Sequence, residues 1–328
     1  MGNEGRTILI VGGAGYIGSH MVKLLLNLDY NVLVLDNFST GNEKLLLGGS
    51  LFRGDLSNVD LLDHIFSENS VDAVMHFAAF SLVGESVTDP MKYYRNNVAE
   101  TAVLIQSMLD HGVRHFIFSS SAAVYGEPQY TPIDEAHPCN PTNPYGATKI
   151  AVERMLFDCS RAYDFTYASL RYFNAAGADA SGSIGEMHDP ESHLIPLLLK
   201  VARAERSEIH IYGDDYNTPD GTCIRDYVHV NDLASAHLLA LEGLISNRIS
   251  SVTYNLGNSV GYSVFDVLQM ARRVTGKPIP HAVKARRSGD PAVLIADSKK
   301  IRDELGWTPA YEKLDAIIES AWLWHQKQ

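Results

Sequence analysis
Cysteine is scarce in this chain of 328 residues: Cys139, Cys159 and Cys223 are three, odd in number and far apart. That excludes a disulfide framework and a zinc-type cysteine spacing, and it suits a reducing compartment, so a cytoplasmic protein is expected. Long apolar runs are missing too. The first apolar run, residues 7–11, is too short for a signal-peptide core or a membrane span and reads as a β-strand, so no membrane partner is expected. Positive charge is in deficit: 27 Lys and Arg against 39 Asp and Glu leave a formal net charge of −12. A sequence-independent grip on nucleic acid needs a basic face, so nucleic acid is not an expected partner either. Any anionic substrate has to be met by a local cluster of arginines, because the overall field repels it. Repeats and low-complexity segments are absent. What remains is an ordinary globular composition, 45% hydrophobic and 20% charged, in a chain long enough for two lobes.

Short apolar runs alternate with helix-like stretches through the first half. Strands are expected at 7–11, 31–35, 73–77, 115–119 and 166–171, and helices at 17–28, 61–67, 91–111 and 145–163. Strands alternating with helices mean an α/β class, a doubly wound parallel sheet that takes ligands at the carboxyl ends of its strands. From about residue 175 the rhythm breaks. The stretch 175–190 reads as loop, followed by helices at 194–204, 231–245 and 263–275 and short strands at 208–212 and 253–256. Ser263 with Asp266 resembles a capping box, and Gly276 with Pro278 ends that helix. Residues 1–174 are therefore read as a dinucleotide-binding domain and 175–328 as a smaller α+β substrate lobe. The boundary is approximate, with the chain crossing between the two.

Gly12, Gly15 and Gly18 stand directly after the first strand and open a helix. Gly12 lets the chain turn, Gly15 lets the backbone approach a pyrophosphate at the helix N-terminus, and Gly18 lets helix and strand pack closely. The second strand runs into Asp36, placed to bond the adenosine ribose hydroxyls and to repel a 2′-phosphate, which favours NAD over NADP. The third constellation is redox-competent. Tyr145 and Lys149 are four residues apart on one helix and share a face, and a lysine beside a tyrosine stabilises the phenolate. A strand ending in Ser119, Ser120 and Ser121 faces the same crevice, where Ser121 can bond a substrate hydroxyl and relay its proton.

These residues resemble the extended short-chain dehydrogenase/reductase family, and within it the UDP-hexose 4-epimerases. The likeness spans nearly the whole chain, through Gly-Gly-Ala-Gly-Tyr-Ile-Gly (12–18), Leu-Asp-Asn (35–37), His-Phe-Ala-Ala (76–79), Ser-Ser-Ser-Ala (119–122) and Asn-Pro-Tyr-Gly (143–146). It continues in Arg-Tyr-Phe-Asn (171–174), Asp-Gly-Thr (220–222), Arg-Asp-Tyr-Val-His (225–229) and Arg-Arg-Ser-Gly-Asp (286–290). The resemblance implies a Rossmann fold and a retained NAD. It also implies interconversion of UDP-glucose and UDP-galactose through a transient 4-keto sugar, with Ser121, Tyr145 and Lys149 catalytic.

By position, the resemblance implies that the cofactor is held by the turn containing Gly12, Gly15, Tyr16, Ile17 and Gly18. Asp36 and Asn37 would hold the adenosine ribose and Asp55 and Leu56 the adenine. Phe77, Ala78, Ala79, Asn96, Ser119, Tyr145, Lys149 and Tyr172 would complete the cofactor site. Asn174, His193, Leu194, His210 and Tyr212 would hold the UDP-sugar together with Ser121 and Tyr145, with Arg225 and Arg287 on the diphosphate and Asp290 on the uridine ribose. Leu294 stands at the family's size gate, between the tyrosine that excludes N-acetyl groups and the small residues that admit them. UDP-GlcNAc and UDP-GalNAc therefore stay candidate substrates. Apolar faces on 91–111 and 145–163 imply a homodimer through a four-helix bundle, although from sequence alone they could equally be core helices. Ser81 departs from a common lysine, Ala123 from a threonine and His193 from an asparagine. A sugar-nucleotide 4,6-dehydratase would need an Asp-Glu pair where Ala122 and Ala123 stand. A decarboxylase would want an added basic residue for a sugar carboxylate. A mere NAD sensor would not need Ser121, Tyr145 and Lys149 together.

Overall fold
The computed structural model describes residues 5–287 and 289–328. Its strands are β1 (Thr7–Val11), β2 (Asn31–Asp36), β3 (Ser50–Arg53), β4 (Val71–His76), β5 (His115–Ser121), β6 (Thr166–Tyr172) and β7 (Asn174–Ala176), followed by β8 (Ile209–Tyr212), β9 (Ile224–His229), β10 (Val252–Leu256), β11 (Gly261–Ser263), β12 (His281–Lys284) and β13 (Val293–Leu294). Helices are α1 (Tyr16–Asn27), α2 (Val59–Glu68), α3 (Val83–Thr88), α4 (Pro90–Tyr94), α5 (Glu100–Asp110) and α6 (Pro144–Ala162), then α7 (Leu194–Ala202), α8 (Val230–Ile245), α9 (Val264–Thr275), α10 (Lys299–Leu305) and α11 (Leu314–Gln326).

Seven strands form one parallel sheet in the order β10-β6-β5-β4-β1-β2-β3. The expected doubly wound α/β class is what the chain adopts. Ile8, Leu9, Ile10 and Val11 are all buried, because helices cover both faces of the sheet and a strand between them has no solvent side. One core lies between the sheet and α1 and α8, with Met21, Leu25, Leu233 and Leu241. The other lies under α2, α5 and α6, with Leu62, Leu104, Val152 and Leu156. The chain leaves β1 toward β2 and β3, then returns on the other side to β4. The strand order therefore reverses between β1 and β4, and such a reversal opens a crevice at the strands' carboxyl ends.

Three local expectations are corrected. The strand β3 carries no alternating pattern, its residues being mostly exposed at the sheet edge, and it is absent from the sequence reading. The expected helix over 91–111 is interrupted by a π-helical turn, Arg95–Ala99, between α4 and α5. The strand expected at 253–256 does not lie in a separate lobe. It is β10, paired in register with β6 from Val252↔Ala168 to Leu256↔Tyr172. The preceding α8 packs on α1, so the chain re-enters the main sheet after residue 174.

The remaining C-terminal elements form a smaller α+β part. In it β9 holds β11, β13 and β7, β8 pairs β12, and α7, α9 and α11 share one apolar core. The Ser263–Asp266 capping box is present, with both reciprocal bonds made, and Gly276 closes α9 with φ +65°.

Candidate active site
The crevice at the β1/β4 reversal is an open cleft. It is lined by ten of the residues expected there: Gly12, Gly15, Asp36, Asn37, Asp55, Leu56, Phe77, Ala78, Ala79 and Asn96. A Cβ on Gly12 would sit 2.5 Å from the Ala78 amide nitrogen, and one on Gly18 would sit 2.1 Å from the Gly12 carbonyl oxygen. Those two glycines therefore let β1, the loop after β4 and α1 close on one another. No side chain caps the amino end of α1 and no acid stands in its first turn, so its amides are free for an anion. Asp36 is buried and accepts the amides of Ala14 and Phe38, each at 2.8 Å. Burial pushes its pKa up against those two bonds. One lone pair on each oxygen is still free for a ribose hydroxyl. Asn37 donates to Asp55 at 2.8 Å, joining the segments that follow β2 and β3. This donor and acceptor set fits a dinucleotide.

Tyr16 behaves differently. It is buried, and its hydroxyl donates to the Gly177 carbonyl at 2.6 Å, so its side chain locks the loop after β7 and does not line the cleft. Ile17 and Gly18 likewise belong to the helix side of the turn.

The second half of the site hangs from β5, β6 and α6. Asn143 caps α6 by accepting the Gly146 amide at 2.9 Å, and Pro144 takes the first helical position. Tyr145 thereby opens the helix, and Lys149 follows one turn on. Lys149 Nζ donates to the Ser119 carbonyl at 2.7 Å and lies 5.8 Å from the centre of the Tyr145 ring. Burial lowers the Lys149 pKa to about 7, partly opposed by the Glu153 carboxylate. Ser121 ends β5 and accepts the Ala123 amide at 3.1 Å, and its hydroxyl stands near enough to the Tyr145 hydroxyl to favour its ionised form. Tyr145 does not have the lowered pKa expected from its lysine. Burial raises it, and the nearby Ser121 hydroxyl offsets only part. The reason is that the same desolvation suppresses the Lys149 charge, while Nζ is aimed at a carbonyl.

A chain of contacts joins the two halves. The cleft residue Phe77 packs on His237 at 4.9 Å, His237 on Tyr172 at 6.0 Å, and the Tyr172 hydroxyl bonds Ser119. On the other side Asn97, in the π turn, bonds Phe80 of the cleft and Thr148 of α6. A π turn displaces side chains from the ordinary helical stripe, which is how neighbouring Asn96 and Asn97 serve cleft and helix at once.

The residues expected to hold a UDP-sugar fall into two groups, with Asn174 apart on β7 and one outlier beside Leu194. Leu294 pairs with Arg225 between β13 and β9, and Arg225 Nη2 lies 3.4 Å from Asp290. The neighbouring Asp226 makes no pair with Arg225. It is buried and accepts the amides of Asn258, Ser259 and Ala296. Leu294 packs in the cluster of Ala122 and Phe173, next to Ser121. In the second group the Arg287 guanidinium sits 4.1 Å over the Tyr212 ring, with His210 two residues before Tyr212 on β8. Asn174 starts β7 beside β9. His193 is the outlier: its Nδ1 turns into the loop before α7, 2.7 Å from Glu186, leaving only Nε2 for a ligand, and Leu194 opens α7 beside it.

Comparison with known proteins gives the family. The profile of the NAD dependent epimerase/dehydratase family matches residues 8–257. The chain belongs to that family. It is 53% identical over 320 residues, 98% of this chain and 96% of the relative, to a UDP-glucose 4-epimerase of Halalkalibacterium halodurans. Among solved structures it resembles the Bifidobacterium longum UDP-glucose 4-epimerase in complex with NAD+ and UDP, with 41% identity, TM-score 0.92 and 98% of each chain covered. It also resembles the Campylobacter jejuni UDP-Glc/GlcNAc 4-epimerase, with 42% identity, TM-score 0.86, and coverage of 98% of this chain and 100% of that one.

Within this epimerase-family site several lining residues escape the sequence reading: Ser39, Thr40, Gly41, Gly54, Phe80 and Glu100. Four of them stand within five residues of Asp36 or Asp55, and that proximity is the only signal in the sequence that points to them. Among the described residues no helix is long and apolar enough to cross a membrane.

Proposed function
We propose that the chain is a UDP-glucose 4-epimerase, interconverting UDP-glucose and UDP-galactose. The observation that carries this reading is the meeting of Ser121, Tyr145 and Lys149 beside a dinucleotide cleft in a chain similar over nearly all its length to enzymes of that name. Bound NAD supplies a hydride acceptor and donor for sugar C4. The cleft from Gly12 to Asn96 holds it, with Asp36 and Asn37 at the adenosine ribose.

Tyr145 takes the proton from the sugar 4-hydroxyl and returns it on the opposite face, with Ser121 relaying it. Lys149 assists by favouring the ionised Tyr145 whenever its own amine is charged. Arg225 and Arg287 meet the diphosphate, giving charge-assisted bonds that the acidic chain otherwise lacks. Asp290 takes the uridine ribose, while Asn174, Leu194, His210 and Tyr212 frame the nucleotide. Such a site grips the UDP firmly and the sugar loosely, so that a 4-keto sugar turns over without leaving.

In this reading residues 1–174, with α8 and β10, carry the cofactor and the rest of 175–328 carries the nucleotide sugar. The protein works as a homodimer through α4 to α6, where Met91 is 66% exposed and Tyr94 and Phe157 are exposed as well. Its three cysteines are free thiols, in keeping with a cytoplasmic setting. The test is a substrate panel on purified protein with no added nicotinamide. UDP-galactose should form from UDP-glucose without net reduction of any cofactor, and sedimentation should give twice the chain mass. Absence of product, or a requirement for added NAD in stoichiometric amounts, overturns the reading.

A further inference from the structure
The loop between β7 and α7 carries Glu186, His188, Glu191 and His193, spaced Glu-x-His-x-x-Glu-x-His. Each offers one donor atom, and the four atoms lie within 4.8 Å of one another. His193 Nδ1 is 2.7 Å from Glu186 Oε1 and 3.0 Å from Glu191 Oε1. His188 Nδ1 is 3.1 Å from Glu186 Oε1 and 3.9 Å from Glu191 Oε2. Adjacent ligands on a tetrahedral ion with bonds of about 2.0–2.2 Å stand roughly 3.3–3.6 Å apart, so these separations bracket the required edge.

The cluster is not a surface patch of acids. The Glu186 and Glu191 side chains are only 5% and 3% exposed, and among the described residues neither pairs with a lysine or arginine. Two adjacent buried carboxylates need positive charge, which here comes either from protonated His188 and His193, their only ion-pair partners among the described residues, or from a metal ion held by the same four side chains. We propose that this tetrad binds one divalent transition-metal ion of the zinc type. Two imidazole nitrogens among four donors disfavour calcium and magnesium, which take oxygen ligands. Four protein ligands also complete a tetrahedral shell, so the site is structural and leaves no position for substrate.

Its placement gives the ion a purpose. The Tyr16 ring, at the start of α1, meets the His188 ring edge-on at 6.2 Å, and the Tyr16 hydroxyl holds the Gly177 carbonyl. Trp324 of α11 donates to the Glu186 carbonyl at 3.1 Å. His193 leads directly into α7. An ion here ties the loop from β7 to α7 against the dinucleotide turn and α11. The inference stands apart from the epimerase reading, since it concerns metal content and loop stability and not turnover.

The experiment uses untagged full-length protein stripped with a chelator, dialysed and titrated with zinc chloride, with bound metal counted by elemental analysis. One zinc per chain is expected, with a higher thermal midpoint and no competition from magnesium chloride. His188→Asn and Glu191→Gln should each weaken zinc by more than about 100-fold, since loss of a mere supporting contact already costs that order. If a variant fails to fold, the stripped wild-type titration decides by itself. No zinc retained at micromolar concentration, equal competition by magnesium, or unchanged affinity in a folded His188→Asn variant overturns the proposal and leaves a purely protonic His–Glu network.

Discussion
Tyr145 is the residue on which the chemistry turns, and its surroundings pull in two directions. Burial makes it a reluctant acid, and Ser121 is the neighbour that eases it. Tyr145→Phe keeps the ring and removes the proton carrier. Its kcat should fall by about 100- to 10,000-fold, the usual share of a general acid–base, while nucleotide binding in a calorimeter and the thermal midpoint stay near wild type. Persistent turnover would mean that another base does the work. Leu294 offers a prediction of a different kind. It lies against the Ala122 and Phe173 cluster beside Ser121, so Leu294→Tyr adds bulk where a sugar 2-substituent would be. Any UDP-GlcNAc turnover should disappear while UDP-glucose turnover changes only modestly. Equal losses on both substrates would remove Leu294 from the role of gate.

At the level of elements, the site depends on how closely the turn after β5 approaches α6. A Cβ on Gly146 would stand 2.4 Å from the Ala123 carbonyl oxygen, and backbone has little room to give. Gly146→Ala should cost about 1–3 kcal/mol in urea unfolding and lower kcat, by parting Ser121 from Tyr145. Behind the same junction Arg171 of β6 and Glu153 of α6 form a buried pair, with Ser120 and Tyr125 bonded into it. Glu153→Gln leaves a buried guanidinium without its charge partner and should cost about 3–5 kcal/mol by the same measurement. Both contacts join residues whose role the chain order hides. Glu153 reads as a helix surface acid four residues after Lys149, and only the packing of β6 against α6 makes it part of the site's support.

Across the whole molecule, pH acts mainly through histidines buried in their neutral form. Burial lowers His76 and His229 to about 3 and His20 and His237 to about 4, against an ordinary value of 6.5. Between those values the unfolded chain holds more protons than the folded one. The stability these groups contribute is complete above pH 6.5 and drains away as pH falls toward 3. Asp226 works in the opposite direction. Burial raises it to about 7, so its contribution falls as pH rises from the usual carboxylate range toward 7. Among the groups most shifted in this range four histidines oppose one carboxylate, which predicts a net loss of stability on acidification below pH 6.5, seen as a falling midpoint in thermal unfolding scans. A midpoint that is flat or rising between pH 6.5 and 4 would contradict this balance.

The sequence by itself determined whatever rests on near neighbours. The turn Gly12–Gly18, Asp36 at the end of β2, the Ser263–Asp266 cap and the Tyr145–Lys149 pair are local patterns, and local steric and hydrogen-bond rules suffice to place them. Tertiary structure alone decided the rest, because the partner in each case is distant along the chain. Residues 252–256 look like any short strand until they pair with 168–172 and become the edge of the main sheet. The Tyr16 side chain gives no sign in the sequence of its bond to Gly177, 161 residues away. The π turn at Arg95–Ala99 breaks no apolar pattern and shows itself only where Asn97 is drawn to Phe80 and Thr148. Glu186, His188, Glu191 and His193 are close in sequence, but only folding buries the two carboxylates, and it is burial that turns four polar residues into a demand for charge.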